Sequence, residues 1–264
     1  MRRTKVNYYF GIDVGSTTTK VVVVDAGGCV LSSSIVRTGA VVKEAVTKAC
    51  EKVFIDAGVC VQEAAYVVST GYGRRGVSFA QKCITEITAH AKGIAGLFPG
   101  VYVVIDIGGQ DTKVIVLDDN AQVDNFVMND KCAAGTGRFL EVMAGILNLS
   151  IDELGEVALK YTKELAINST CTVFAESEVI SLISREESIE NIAYAVHSSV
   201  IDRIISLVKK VHSHGDVALT GGVSKNKAIF SIIGERLGVS VNLPQNPQIV
   251  GALGAALLAR EYSK

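Results

Sequence analysis

Two cysteines, Cys132 and Cys171, have the sequence surroundings that iron–sulfur chemistry needs. Each precedes a segment whose apolar residues recur at helical spacing, AAGTGRFLEVMAGIL after the first and TVFAESEVISLIS after the second. A thiolate at the start of a helix meets about half a positive charge from the helix dipole and several unpaired N–H groups. Because that setting lowers the pKa of a thiol, it suits an anionic metal–sulfur cluster.

The number of cysteines limits this hypothesis. A four-iron cluster takes four thiolates, whereas this stretch offers two. Two copies of the chain related by a two-fold axis would supply the other pair. The alternative is that both are small buried hydrophobic residues, as free cysteines often are. Four further cysteines lack metal-like spacing and are predicted to be packing residues: Cys29, Cys50, Cys60 and Cys83.

A glycine-containing turn between two predicted strands, DVGSTTTK, has the residues that bind phosphate. Gly15 lets the backbone approach an anion, and Lys20 adds a positive charge. The carboxylate of Asp13, at the end of the strand, is suited to holding Mg²⁺ through water. Phosphate oxygens would be held by the hydroxyl and N–H groups of Ser16, Thr17 and Thr18. The alternative is an ordinary hairpin turn.

The same pattern occurs a second time. IDIGGQDTKVIVLD lies over IDVGSTTTKVVVVD without a gap, which indicates an internal duplication. Asp106 matches Asp13, and Gln110 or Asp111 can orient an attacking water, as glutamines do in phosphoryl-transfer sites. A third turn, LTGGVS, ends a strand with Gly221 and Gly222, against which a purine can lie. No P-loop and no dinucleotide-binding glycine motif is present.

The elements that must position these residues alternate between strands and helices. Three strands are predicted over 8–37 and again over 101–129, the second set being the repeat of the first. Both cysteine segments are predicted to be helical. Other strands are predicted at 65–70, before Gly221 and at 239–244, and other helices at 42–57, 84–97, 189–211, up to about 237, and from Gly251 onward.

This order predicts an α/β protein of two lobes with a cleft between them. Residues 1–97 with about 245–264 form the first lobe, and 98–244 form the second lobe with both cluster cysteines. The 264 residues are 48% hydrophobic with a net charge of −1, and they include no basic block for nucleic acid and no membrane-length apolar run. We therefore expect a cytoplasmic enzyme without nucleic-acid or membrane partners.

Seven motifs together resemble one family within the superfamily of acetate and sugar kinases, heat-shock chaperones and actin. The motifs are IDVGSTTTK, STGYGR, VIDIGGQD, NDKCAAGTGRFL, STCTVFAESEVIS, GGV and GALGAA, and they extend over about residues 10–258. They resemble the activator protein, component A, of 2-hydroxyacyl-CoA dehydratases, whose family includes the ATP-binding subunits of benzoyl-CoA reductases. The resemblance implies a duplicated, actin-like, two-lobed ATPase fold.

The resemblance also implies a function. In that family, a homodimer holds one [4Fe–4S] cluster through two cysteines of each subunit, which correspond to Cys132 and Cys171. ATP hydrolysis with Mg²⁺ drives one low-potential electron from a ferredoxin or flavodoxin donor to an iron–sulfur dehydratase or reductase. The implied nucleotide contacts are Ser16, Thr17, Thr18, Lys20, Gln110, Gly221, Gly222 and Gln248. Further candidates beside them are Gly15, Gly108, Gly109, Gly135, Thr136 and Lys225.

Two departures from the family pattern concern the partner and the nucleotide affinity. The segment 38–44 is shorter than the corresponding loop of dehydratase activators, and Lys225 stands where they often carry an amide. The competing functions are a small-molecule kinase and a nucleotide-dependent regulatory switch of the same fold. Two histidines in predicted helices, His90 and His197, are assigned no catalytic role.

Overall fold

The computed structural model describes residues 7–168, 171–211 and 215–264. The strands are β1 (Tyr9–Val14), β2 (Thr18–Val24), β3 (Val30–Arg37), β4 (Tyr66–Thr70), β5 (Lys82–Cys83), β6 (Val103–Ile107), β7 (Thr112–Leu117), β8 (Val123–Asn129), β9 (Val217–Thr220) and β10 (Val241–Asn242). The α-helices are α1 (Val42–Ala57), α2 (Glu86–Leu97), α3 (Gly137–Ile146), α4 (Ile151–Ala158), α5 (Thr172–Ser184), α6 (Ile189–Lys210), α7 (Lys227–Leu237) and α8 (Val250–Tyr262).

The two sheets have the same topology. The first has the strand order β3-β2-β1-β4-β5, and the second, read from its other edge, has the order β8-β7-β6-β9-β10. In chain order, the first strand of each sheet (β1 or β6) pairs antiparallel with the second (β2 or β7) and parallel with the fourth (β4 or β9). The predicted duplication is therefore confirmed, and the α/β class with it. The repeat includes the fourth and fifth strands of each sheet, where the sequences no longer align visibly.

The chain divides into two compact units. Unit 1 contains the described residues up to Gly100 together with Leu117–Val123 and Pro244–Lys264. Unit 2 contains Val101–Val116 and the described part of Asp124–Leu243. The lobe boundaries drawn from the sequence stay a prediction, because a unit here is a set of contacting residues and not a demonstrated folding domain.

The sheet of unit 1 is covered by helices on both faces. Successive residues of a strand point to opposite faces, and in β1 both sets are buried. Phe10, Ile12 and Val14 pack with α1 on one face, whereas Tyr9 packs with α8 on the other. Since both faces are apolar, β1 and β2 have continuous hydrophobic runs rather than an alternating pattern.

Helices α2 and α8 of unit 1 are in backbone contact where they cross. A Cβ atom at Gly254 would lie 1.8 Å from the carbonyl oxygen of Ala89, and one at Gly93 would lie 2.4 Å from the carbonyl oxygen of Val250. The small residues of GALGAA therefore allow a separation that larger side chains would prevent. This crossing places α2 and α8 beneath the carboxyl end of β1.

Unit 2 has one large core. Apolar residues of β6 and β7 pack against α3, α4, α5 and α6, and residues of α7 join the same cluster. The longest helix, α6, is capped at its start by Ser188, whose hydroxyl accepts from the N–H of Asn191. Within the described residues, no helix is both long enough and apolar enough to cross a bilayer.

Most predicted elements are confirmed, and the differences are local. Helix α4 was not predicted, although its Ser150–Glu153 capping box is a recognisable start signal. Helix α2 begins at Glu86 rather than residue 84, because the preceding residues form the short strand β5 and Thr85 caps the helix. The strand predicted at 239–244 is shorter, at Val241–Asn242.

Candidate nucleotide and cysteine sites

The first phosphate-type turn is closed and supported by backbone hydrogen bonds. The N–H of Gly15 donates to the carbonyl oxygen of Thr18 at 3.0 Å, while Ser16 and Thr17 are exposed. Thr38, at the end of β3, donates its hydroxyl to the Gly15 carbonyl at 2.8 Å. The turn therefore has a defined shape and presents the exposed residues 16 and 17 to solvent.

Asp13 is buried at the end of β1 beside this turn. Its Oδ2 atom accepts from Lys20 Nζ at 3.0 Å, and the two residues are cross-strand partners in β1 and β2. On its other side lies Gly71, which follows β4 with a φ of +88°. A Cβ atom at Gly71 would lie 2.4 Å from Asp13 Oδ1 and 2.5 Å from the Val14 carbonyl oxygen, so only glycine fits there.

The second turn, in unit 2, repeats this geometry. The N–H of Gly108 donates to the Asp111 carbonyl oxygen at 2.9 Å. The start of α3 holds the turn in place, because the N–H groups of Gly137 and Arg138 donate to the carbonyl oxygens of Gly108 and Gly109 at 2.9 and 2.8 Å. This turn is therefore attached directly to the helix that follows the Cys132 loop.

Asp106 is held more completely than Asp13. Its Oδ1 atom accepts from the Thr220 hydroxyl at 3.0 Å, and its Oδ2 atom lies 3.2 Å from Lys113 Nζ. Lys113 is 1% exposed and also contacts Asp111 Oδ2 at 2.8 Å. A lysine shared by two carboxylates offsets the cost of burying the Lys113 and Asp106 charges, whereas Asp111 is 30% exposed. Both oxygens of Asp106 are therefore occupied by protein donors.

The equivalent threonine in unit 1 is placed differently. Thr70 is the register partner of Asp13, as Thr220 is of Asp106. The Thr70 hydroxyl is buried and has no hydrogen-bond partner among the described residues. A buried polar group normally has a partner, in the protein or in ordered water. The carboxyl end of β1 therefore has unused hydrogen-bonding capacity next to an acidic side chain.

The remaining predicted nucleotide residues fall into two groups. Gly221 repeats the role of Gly71, with a φ of +87° and a Cβ position 2.8 Å from Asp106 Oδ1. Gly135 and Thr136 form the turn before α3, where their polar groups contact Thr112 and Ala133. Of the others, Gln110 lies in the second turn and is exposed, Gly222 and Lys225 follow β9 and are half-buried and exposed, respectively, and Gln248 is half-buried in the short helical turn Pro247–Ile249. Gln248 belongs to unit 1, and the nucleotide roles of all these residues stay predictions.

The two cysteines differ in their relation to helices. Cys171 is exposed and is the N-cap residue of α5, as predicted. For Cys132 the prediction of a helix start is wrong, because α3 begins at Gly137 and the turn 133–136 intervenes. The dipole effect falls off within the first turn, so it acts on Cys171 and not on Cys132. Cys132 is half-buried, and Asn129 donates to its carbonyl oxygen at 2.9 Å.

The surroundings of Cys171 include a large apolar surface. Val173 is 67% exposed and Phe174 is 65% exposed in the first turn of α5. Glu178 of α5 accepts from the backbone N–H of Asn168 at 2.9 Å and so ties residue 168 to this helix. Among the described residues, no group of three or more histidine, cysteine or acidic side chains could hold a metal ion.

The four other cysteines are only partly as predicted. Cys50 packs against the core of unit 1, and burial raises the pKa of its thiol to about 12, so it is inert. Cys60 is half-buried. Cys29 and Cys83 are exposed, so the prediction that they are packing residues is wrong. Both lie in or next to an edge strand of the sheet of unit 1, where side chains can point to solvent.

Several residues around the turns were missed by sequence reasoning. The sequence signal for Thr70 and Gly71 is a threonine–glycine pair that recurs at the end of the fourth strand of each sheet, as Thr70-Gly71 after β4 and Thr220-Gly221 after β9. Lys113 occupies the position of Lys20 in the repeat and is not among the predicted site residues. Thr38 has no sequence signal, because its contact with Gly15 depends on where β3 ends.

Comparison with known proteins places the chain in one family. Residues 10–259 match the model of the BadF/BadG/BcrA/BcrD ATPase family. The chain is 46% identical over 257 residues to the activator of lactoyl-CoA dehydratase of Anaerotignum propionicum, covering 97% of this chain and 99% of that protein.

Solved structures agree with this result. The activator of the 2-hydroxyisocaproyl-CoA dehydratase from Clostridium difficile, with bound ADPNP, superposes with a TM-score of 0.91 at 42% identity, covering 97% of this chain and 95% of that one. A ROK family glucokinase from Streptomyces griseus has a TM-score of 0.58 at 15% identity, covering 97% and 99%. The latter similarity shows the fold alone, and the actin-like and sugar-kinase architecture predicted from the sequence is confirmed.

Proposed function

This chain belongs to the BadF/BadG/BcrA/BcrD ATPase family, and on that premise we propose that it is a reductive activator of a 2-hydroxyacyl-CoA dehydratase or a related double-cluster reductase. ATP is hydrolysed to ADP and phosphate, and this drives one electron from a reduced ferredoxin or flavodoxin to the partner enzyme. Cys132 and Cys171 from two copies of the chain would hold a [4Fe–4S] cluster, which would supply the one-electron chemistry. Relatives named as dehydratase activators support this assignment.

The observation that carries the proposal is the attachment between the second phosphate turn and the Cys132 loop. The first two N–H groups of α3 bind the carbonyl oxygens of Gly108 and Gly109, and the loop that carries Cys132 leads directly into this helix. A change in the turn on nucleotide binding or hydrolysis would therefore be transmitted to Cys132 along residues 133–137. Coupling between two sites requires contacts that differ between the two states of the protein, and these hydrogen bonds are such contacts.

The residues around Asp13 fit a nucleotide-bound Mg²⁺. Magnesium keeps most of its waters and usually takes only one or two carboxylates from the protein. Asp13 would hold such waters by its carboxylate, and the buried Thr70 hydroxyl would supply the additional hydrogen bond. When bound, the ion would neutralise charge on the phosphates. Gln110 and Asp111, in the copy of the turn in unit 2, stay the predicted residues for orienting an attacking water.

The residues around Cys171 fit a cluster shared between two subunits. One chain offers two thiols, so a second copy is needed for four. The exposed residues Val173 and Phe174 give α5 an apolar surface next to the thiol, as a subunit interface would need. When bound, the cluster would supply one-electron chemistry at a potential set by its hydrogen bonds and exposure.

The test is anaerobic purification followed by iron, sulfide and mass determination. We expect a dimer with about four irons per two chains. Cys132→Ser and Cys171→Ser should each lose the iron, whereas Cys83→Ser, at an exposed thiol of unit 1, should keep it. A folded, ATP-binding protein without iron would contradict the proposal and favour the kinase or the nucleotide switch.

A further inference from the structure

The imidazole of His90 and the Asp13 carboxylate both lie next to Gly251 of α8. His90 is 6% exposed on α2, and it faces α8 at Gly251. A Cβ atom at Gly251 would lie 2.9 Å from His90 Nε2 and 3.4 Å from Asp13 Oδ2. Both atoms are therefore within 3.4 Å of the position that a methyl group on residue 251 would occupy. The close crossing of α2 and α8 at Gly254 brings the imidazole to this depth.

Comparison of the two copies shows that Asp13 has fewer hydrogen-bond partners from its sheet than Asp106. In unit 2, Thr220 and Lys113 hold the two oxygens of Asp106. In unit 1, Lys20 holds Asp13 Oδ2, but the Thr70 hydroxyl makes no hydrogen bond among the described residues. The carboxylate of Asp13 is thus less constrained by the sheet than its counterpart. A side chain from the helices beneath the sheet can supply that constraint.

We propose that His90 is a positioning residue for Asp13, whose Nε2 atom fixes the carboxylate, directly or through one water, in the orientation that a nucleotide-bound Mg²⁺ requires. The inference rests on the proposed ATP hydrolysis at this site. A neutral imidazole carries a proton on one ring nitrogen and can donate it to a carboxylate. Gly251 leaves room next to both groups, since a Cβ atom there would come within 2.9 Å of His90 Nε2 and 3.4 Å of Asp13 Oδ2.

Two substitutions at residue 90 distinguish the ring nitrogen from the bulk of the side chain. The amide nitrogen of glutamine reaches the position of histidine Nε2, whereas that of asparagine reaches only Nδ1. We expect His90→Asn to lower kcat for ATP hydrolysis about tenfold and to raise the half-saturating Mg²⁺ concentration about threefold, as for a lost hydrogen bond to a charged group. His90→Gln should stay within about threefold of wild type in kcat.

Gly251→Ala tests the same contact without removing the histidine. Alanine stabilises the interior of a helix relative to glycine by about 0.5–1 kcal/mol, but here its methyl group enters the space between His90 and Asp13. We expect a loss of kcat similar to that of His90→Asn with little change in Tm. His197→Gln is the matched control for His90→Gln, because it also replaces a buried helix histidine by glutamine, but in unit 2. It should leave the Mg²⁺ dependence unchanged.

The outcomes separate this inference from the proposed function. If the wild type hydrolyses ATP but holds no iron, the electron-transfer proposal fails and the kinetic test of His90 still applies. If the wild type hydrolyses no ATP, calorimetric titration of ADP with and without Mg²⁺ gives the readout, and His90→Asn should reduce the Mg²⁺ enhancement of binding. The inference is overturned if His90→Asn matches wild type in Mg²⁺ dependence, or if His90→Gln loses as much as His90→Asn.

Discussion

At the scale of single residues, the duplicated aspartate–lysine pairs have the same sequence spacing but different environments. Lys113 is 1% exposed and contacts Asp106 and Asp111, whereas Lys20 is 15% exposed and contacts Asp13 alone. Removing one partner from a buried ion pair leaves an uncompensated charge, which costs much more than losing an exposed pair. The second pair is therefore the more important one for stability.

This difference gives a prediction for the free energy of unfolding. Lys113→Met should lower it by about 3–5 kcal/mol, because the buried carboxylate of Asp106 loses its cation and the half-buried Asp111 loses the same partner. Lys20→Met, the matched change in the other copy, should cost less than half as much. Urea unfolding without nucleotide measures both. Equal losses would show that the burial difference does not determine the stability of these pairs.

At the scale of elements, helix crossings and helix starts position the candidate sites. The N-terminus of α3 binds the second turn, the N-cap of α5 is Cys171, and the crossing of α2 with α8 brings His90 to Asp13. The crossing of α2 with α8 depends on Gly93 and Gly254, since the backbones of the two helices are in contact there. Glycine is destabilising in a helix interior, so its presence in α8 indicates a packing requirement.

Two glycine substitutions in helices should have opposite effects. Gly254→Ala should lower the free energy of unfolding by about 3 kcal/mol, because its methyl group would meet the Ala89 carbonyl oxygen at 1.8 Å and backbone cannot easily move away. Gly145→Ala in α3 has no atom within 4 Å of its methyl group. It should raise the free energy by about 0.5–1 kcal/mol. Thermal or urea unfolding measures both, and a loss in both would contradict the packing argument.

At the scale of the whole molecule, one arrangement occurs twice. Each sheet ends its first strand with an aspartate and its fourth strand with threonine–glycine, and each aspartate is bounded by the glycine that follows the fourth strand. The two copies have diverged at the threonine. The hydroxyl binds the carboxylate in unit 2, whereas in unit 1 it has no hydrogen-bond partner in the part of the chain that the structure describes. We interpret this as a division of roles, with a structural carboxylate in unit 2 and a functional one in unit 1.

The duplication predicts parallel effects of the two glycines. Gly71→Ala and Gly221→Ala should each lower the free energy of unfolding by about 2–4 kcal/mol, since both have a φ near +90° and a Cβ position inside contact distance of backbone. Gly39→Ala is the control, with a positive φ but no atom within 4 Å, and should cost only about 1 kcal/mol. Unfolding in urea distinguishes them. A cost at Gly71 no greater than at Gly39 would contradict the proposed packing.

The sequence alone determined the architecture and the identity of the turns. The gapless repeat of strand–turn–strand, with its aspartate, glycine and lysine, specified both sheets because hydrophobic runs and glycine turns are local signals. The start of α5 at Cys171 was readable for the same reason. The start of α3 was not, because TGRFLEVMAGIL follows a turn whose carbonyl groups contact distant residues, and the helix begins only where Gly137 meets Gly108.

Tertiary structure decided which side chains surround each carboxylate. Thr38 and Thr70 come from neighbouring strands, and His90 comes from a helix, so their contacts with Gly15 and Asp13 depend on strand ends and a helix crossing. The two lysines occupy the same position in the repeat, but they differ in burial and in the number of carboxylates that they contact, and the burial is a property of the folded chain. The local sequence pattern therefore predicts the helices and strands, whereas packing between elements distant in sequence determines which side chains surround each carboxylate.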